Sequence, residues 1–222
     1  MILEANLKKS TLALSALTLA LAAGLSACGG GSSSYTIGGV VIGLEYPGLV
    51  LSNTGEDLAI GPSGYTNVTD PSGKVIGRTP NNVDYAFKNQ ADYGDTYNVS
   101  VKTQPLHQFC ELGGGNADTA GRLSVINSVI SCKLIDNPVS GTVTGLTSGE
   151  LQLINGSSGE AIVVVPANAI SFVLANEVTY GQTYGITVYK QPAGLTCTVS
   201  NGAGVMGDDP INNVSVDCRP NA

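Results

Sequence analysis

The chain has 222 residues, a formal net charge of −7, 29 Gly, no Trp, a single His and only 12% charged residues. A polyphosphate partner needs a basic stripe that displaces counterions, and the Lys and Arg here are few and scattered, which speaks against nucleic acid. The length is generous for one domain and comfortable for two of about 100 residues each, and short runs of Val, Ile, Thr and Tyr between glycines favour strands and turns.

Lys8 and Lys9 precede an uncharged apolar stretch over residues 11–25, the pattern of an export signal. That stretch is shorter than the roughly 20 apolar residues a helix needs to cross the hydrocarbon core. The leader closes with LSAC at 25–28, which resembles the lipobox of bacterial lipoprotein precursors. The resemblance implies that the Cys28 thiol receives a diacylglycerol and that cleavage falls before it. It also implies further acylation, with palmitate-type chains, of the new amino group. Several acyl chains on one residue anchor stably in a membrane. Gly29 stands where the family often uses Asp for inner-membrane retention, which points to the outer membrane of a Gram-negative cell.

Residues 1–27 are thus read as a lipoprotein signal peptide containing the signal helix, and 28–34 as the lipidated Cys28 with a flexible GGGSSS tether. Such a tether has an end-to-end distance of about 13 Å. Losing Glu4, Lys8 and Lys9 with the leader makes the mature chain one unit more acidic.

The remainder repeats itself. GVVIGL at 39–44 lies over GTVTGL at 141–146, and Leu49, Leu51 and Asn53 lie over Leu151, Leu153 and Asn155. Further on, YGDTY at 93–97 matches YGQTY at 180–184, Gln104-Pro105 matches Gln191-Pro192, and Cys110 matches Cys197. Two copies of one module, 35–136 and 137–222, account for these matches, the first with extra residues around 61–78. Within those, DPSGK at 70–74 places Pro and Gly where a tight turn wants them, so the insertion is predicted to be a hairpin.

Period-two alternation sets Tyr97, Val99 and Val101 against Asn98, Ser100 and Lys102, and recurs in Tyr184, Ile186 and Val188. One face of such strands is buried and the other wet. The predicted fold class is all-β, two tandem immunoglobulin-like (Ig-like) β-sandwich domains, each large enough to close its own core as a separate bead.

Five cysteines leave four once Cys28 is assigned to lipid, and four permit three connectivities. The repeat selects Cys110 with Cys132 and Cys197 with Cys218, each pair inside one module. The tandem pattern of YGxTY, QP and two cysteines resembles repeated Ig-like modules of bacterial envelope lipoproteins. It departs from antibody domains, which carry a core Trp and widely spaced cysteines, so the resemblance implies the sandwich and not its strand order.

The residues offer little chemistry. A catalytic triad would have to use His107, whose counterpart in the second copy is Gly194, and a polar strand-end role is the simpler reading. GAGVMG at 202–207 fits a dinucleotide-binding pattern but runs into Asp208, Asp209 and Pro210 instead of a helix, so it reads as a hairpin loop. Asp70, Asp118, Asp208 and Asp209 lack the spacing of a Ca²⁺ loop, and no close cysteine pair supports a metal site. No metal or cofactor is expected.

Among tyrosines, Tyr46, Tyr65 and Tyr189 have no aromatic counterpart in the other copy, whereas Tyr93, Tyr97, Tyr180 and Tyr184 are shared and read as framework. The candidate binding surface is Tyr46, Tyr65 and Arg78, around the inserted hairpin. The expectation is a non-enzymatic, lipid-anchored envelope protein acting as a spacer or as a module that binds protein or glycan. The alternative is an enzyme or accessory subunit of envelope polysaccharide metabolism.

Overall fold

The computed structural model describes residues 33–123, 125–156 and 161–221. The signal peptide, Cys28 and the tether up to residue 32 lie outside the described residues.

The first module contains β1 (Ser34–Tyr35), β2 (Gly38–Ile42), β3 (Leu49–Asn53), β4 (Glu56–Ile60), β5 (Tyr65–Thr69), β6 (Val75–Pro80), β7 (Val83–Ala86), β8 (Ala91–Asp92), β9 (Thr96–Thr103), β10 (Gln108–Gly114), β11 (Ala117–Thr119) and β12 (Ser128–Leu134). The second contains β13 (Asp136–Asn137), β14 (Val139–Thr144), β15 (Glu150–Asn155), β16 (Val163–Pro166), β17 (Ser171–Val173), β18 (Val178–Thr179), β19 (Thr183–Lys190), β20 (Leu195–Ser200), β21 (Ala203–Val205) and β22 (Ile211–Pro220).

In the first module one sheet runs β10-β12-β2-β7 and the other β11-β9-β3-β4. The second repeats this order as β20-β22-β14-β17 and β21-β19-β15-β16, so among the described strands β5 and β6 alone have no counterpart. The fold is all-β, with two tandem Ig-like sandwiches. The first long strand lies parallel to the last, β2 beside β12 and β14 beside β22, and so shares its sheet. Antibody domains place the corresponding strands in opposite sheets.

Alternation fills the space between sheets. Val41, Leu49, Leu51, Val99 and Ile130 are fully buried in the first module, and Val139, Leu151, Leu153 and Val214 in the second. Each such side chain contributes about 1.5–3 kcal/mol relative to exposure.

The shared motifs have structural reasons. A Cβ on Gly39 would lie 1.9 Å from the Ser128 carbonyl oxygen, and one on Gly141 2.3 Å from that of Val214, so the parallel pairing needs glycine at both. The amide of Gln104 donates to the Cys110 carbonyl at 3.0 Å and accepts from the Cys110 N–H at 2.7 Å. Gln191 treats Cys197 the same way, at 3.0 and 2.8 Å. Each glutamine thus supplies a rung of hydrogen bonds along an edge strand that would otherwise expose them. Asn53 and Asn155, the last residues of β3 and β15, accept from the N–H groups of Asn98 and Gly185 at 2.9 and 2.7 Å, which closes the far end of the pairings of β3 with β9 and of β15 with β19.

Disulfides join Cys110 to Cys132 and Cys197 to Cys218. Each links directly opposed residues of neighbouring strands in one sheet, unlike the inter-sheet bond of antibody domains.

Several expectations need correction. Ser34 pairs with Asp92, and the Ser33 carbonyl accepts from the Tyr93 N–H, so the end of the supposed tether is strand-bound. Tyr97 and Tyr184 are core residues, but Tyr93 is 73% exposed and Tyr180 faces the other module, so only half of the shared tyrosines are framework. Within 202–207, Ala203–Val205 form β21 rather than loop, and Gly204 is required because a Cβ there would meet the Tyr184 ring.

Candidate functional site

Two features depart from the duplicated frame, and the second falls where the modules meet. The first is the β5–β6 hairpin. Its turn is set by Asp70, whose carboxylate accepts from the Ser72 N–H, the Ser72 hydroxyl and the Lys74 N–H at 2.9, 2.6 and 3.0 Å. The Asp70 carbonyl accepts from the Gly73 N–H, closing the turn around Pro71. These bonds, that of the Ser72 hydroxyl first, hold the Asp70 carboxyl below its ordinary value.

Every residue from Tyr65 to Thr69 and from Val75 to Thr79 is exposed, including the apolar side chains of Val68, Val75 and Ile76. β5 and β6 pair only with each other. The hairpin is therefore an arm that contributes nothing to the core and leaves two strand edges unpaired.

At the base of the arm the Arg78 guanidinium lies over the Tyr65 ring, 5.3 Å from its centroid. Lost hydration of the phenol and then the neighbouring Glu45 carboxylate raise the Tyr65 pKa, against the opposing pull of Arg78. Tyr65 and Arg78, two of the three residues of the candidate surface, thus lie together, and the third, Tyr46, follows Glu45 directly. Tyr189 lies on β19 in the second module.

The second feature is the joint. Ile135 alone separates β12 from β13; its N–H donates to the His107 carbonyl at 3.0 Å and its carbonyl accepts from the Tyr180 N–H at 2.8 Å. His107 stacks on Tyr180, centroids 4.0 Å apart with 10° between planes, and Tyr46 meets both rings edge-on at 4.9 and 5.8 Å. The Nδ1 of His107 lies 2.8 Å from an Asp208 oxygen. Loss of hydration first, then Tyr46 and Asp208, raise the Tyr180 pKa.

His107 does this in the left-handed region, at φ 58°, where Gly194 stands in the second copy at φ 78°. A non-glycine residue there costs on the order of 1 kcal/mol and is kept where the surrounding structure holds it. Gln108, buried beside it, accepts from the N–H groups of Glu45 and Tyr46 at 2.8 and 3.0 Å and donates to the Gly43 carbonyl at 2.7 Å, which fixes Tyr46 against His107. The two modules close separate cores but meet at this joint, and His107, the polar residue just before β10, is the one that touches Tyr180 and Asp208 of the second module. Sequence comparison missed this because the joint uses non-equivalent positions; the one available signal was a histidine standing where the copy has glycine.

Beside the joint, a cleft of about 610 Å³ opens between the exposed Phe109 ring and the Glu111, Lys133 and Asp136 side chains. Phe109 was not singled out from sequence; its counterpart is Thr196.

No protein-family model matches this chain, and no curated protein does. Among solved structures it is similar to the major pilin protein T3.2 of Streptococcus pyogenes, at 12% identity and a TM-score of 0.25 over 86% of this chain and 99% of that one. It is also similar to the T-13 major pilin of the same species, at 14% identity and a TM-score of 0.26 over 86% and 98%.

Proposed function

We propose that this protein is a non-catalytic envelope lipoprotein in which the joined sandwiches form a stem and the β5–β6 arm is the binding element. The arm carries the reading: an exposed apolar ribbon outside the core, present in one copy of a duplicated module and absent from the other, has no role in holding the fold. The coupled joint supports the stem, since a spacer must hold its modules in line. The LSAC motif ending in Cys28 supports lipid anchoring, and Gly29 supports the outer membrane as the site. The partner class is an envelope protein or glycan.

The test compares the mature chain with a variant in which residues 62–79 are replaced by a short turn. Each is immobilised and offered envelope glycan and solubilised membrane proteins from the producing cell. Retention that requires the arm is the expected result; equal retention by both chains, or none by either, overturns the reading. Intact-mass measurement on protein taken from its native membrane tests the anchor, which requires a chain beginning at Cys28 with acyl chains attached.

A further inference from the structure

The arm is an apolar surface that the fold leaves uncovered. Another is the side of the second sandwich where β16 and β17, the outermost strands of the two sheets, lie next to each other. There Ile162, Val164, Ile170 and Val173 are all exposed, Ile170 to 79%. Monomeric proteins rarely leave such clusters open.

The first module serves as an internal control. Register places Ala59 and Ala86 where the second module has Val164 and Val173, and Asp84 where it has Ser171. The edge in the first module is thus small and acidic, and only the second is apolar.

Charge complements this pattern. Residues 61–80 contain Lys74 and Arg78 against Asp70, and the carboxylate of Asp70 is taken up by its own turn. The second module carries Glu150, Glu160, Glu177, Asp208, Asp209 and Asp217 against Lys190 and Arg219. Glu150 sits opposite Pro166 at the end of β16, and Glu177 follows β17; both are exposed, with no ion-pair partner among the described residues.

From this match we infer that the occupant of the β16–β17 edge is the β5–β6 arm of a second copy of this chain. The Val68, Val75 and Ile76 side chains cover the valines and isoleucines of the edge, while Lys74 and Arg78 face Glu150 and Glu177. An isolated two-stranded hairpin is marginal in water, and docking against a third strand relieves it. The inference rests on the reading of the arm as the binding element and names its partner.

Sedimentation velocity on the mature, unlipidated two-module chain tests it with two variants that leave both cores intact. One lacks residues 62–79, and the other carries Val164→Lys and Val173→Lys, which place like charge against the arm. The wild type is expected to associate as concentration rises towards about 100 μM, the affinity range of a weak surface contact. Each variant alone should remain monomeric, and their mixture should associate, because one supplies the arm and the other the edge. A monomeric wild type, association by the arm-less chain alone, or a mixture that stays monomeric overturns the inference. If the wild type is monomeric yet still retains envelope material through its arm, self-docking fails while the binding role of the arm stands; loss of both removes the two together.

Discussion

At the residue scale, His107 separates backbone cost from side-chain gain. Its left-handed φ is the conformation that Gly194 adopts in the second copy, so His107→Gly removes strain while deleting the stack on Tyr180 and the pairing with Asp208. We expect the first module to lose no stability against urea, with a gain of up to about 1 kcal/mol, while the two modules begin to tumble separately. Module-by-module NMR relaxation checks this. His107→Ala should uncouple the modules equally but keep the strain. Ser128 is a different case, since its hydroxyl is fully buried and has no hydrogen-bond partner among the described residues. Ser128→Ala removes an unsatisfied polar atom at little steric change and should raise unfolding stability by about 1 kcal/mol in the same urea assay.

At the element scale, the arm and the sandwich that bears it should respond independently. No arm residue belongs to the core cluster, and the second copy closes the same β4-to-β7 connection, as β16 to β17, without an insertion. Removing residues 62–79 should therefore shift the thermal midpoint of the first module by no more than a few degrees; a collapse of the fold would show that the arm is structural. The turn itself responds to acid. The Asp70 carboxyl is held below its ordinary value of 3.8 by the folded hairpin, so its contribution is complete above that value and disappears as pH falls through the lower, folded one. The protection of the Ser72 and Lys74 amides, taken against their intrinsic exchange rates, should be lost in that acid window, and Asp70→Ala should lack it at all pH values.

Much of this level was legible in the sequence because it depends on local pattern. Alternation at Tyr97, Val99 and Val101 gave the strands, and DPSGK gave the turn. Duplication gave the cysteine pairs, since only intramodular bonds preserve the repeat. Contacts made by one copy alone were not legible: Tyr180 looked like framework because Tyr93 matches it, yet one ring packs at the joint and the other lies open to solvent. Tyr65 and Arg78 could be placed on one inserted hairpin from the sequence, whereas Phe109 lining the cleft beside the joint could not, because that cleft is formed only when β10, β12 and the segments flanking them come together in the folded sheet.

At the scale of the whole molecule, the two sandwiches have separate cores, separate disulfides and a single connecting residue, yet they share a packed joint. Each disulfide closes a loop with a sequence separation of 22 or 21, which in the chain-entropy model stabilises its module by about 3 kcal/mol. That is a large part of the 5–15 kcal/mol typical of a folded domain. Reduction should lower the stability of both modules by similar amounts because the bonds occupy equivalent positions. The joint makes the outcome more specific. In the wild type, unfolding of one module exposes the stacked face of the other, so under reducing conditions the two transitions should lie close together in calorimetry. In His107→Gly that exposure costs nothing further, and the same scan should resolve into two independent transitions. Two separate transitions in both proteins would mean that the joint orders the modules without coupling their stabilities.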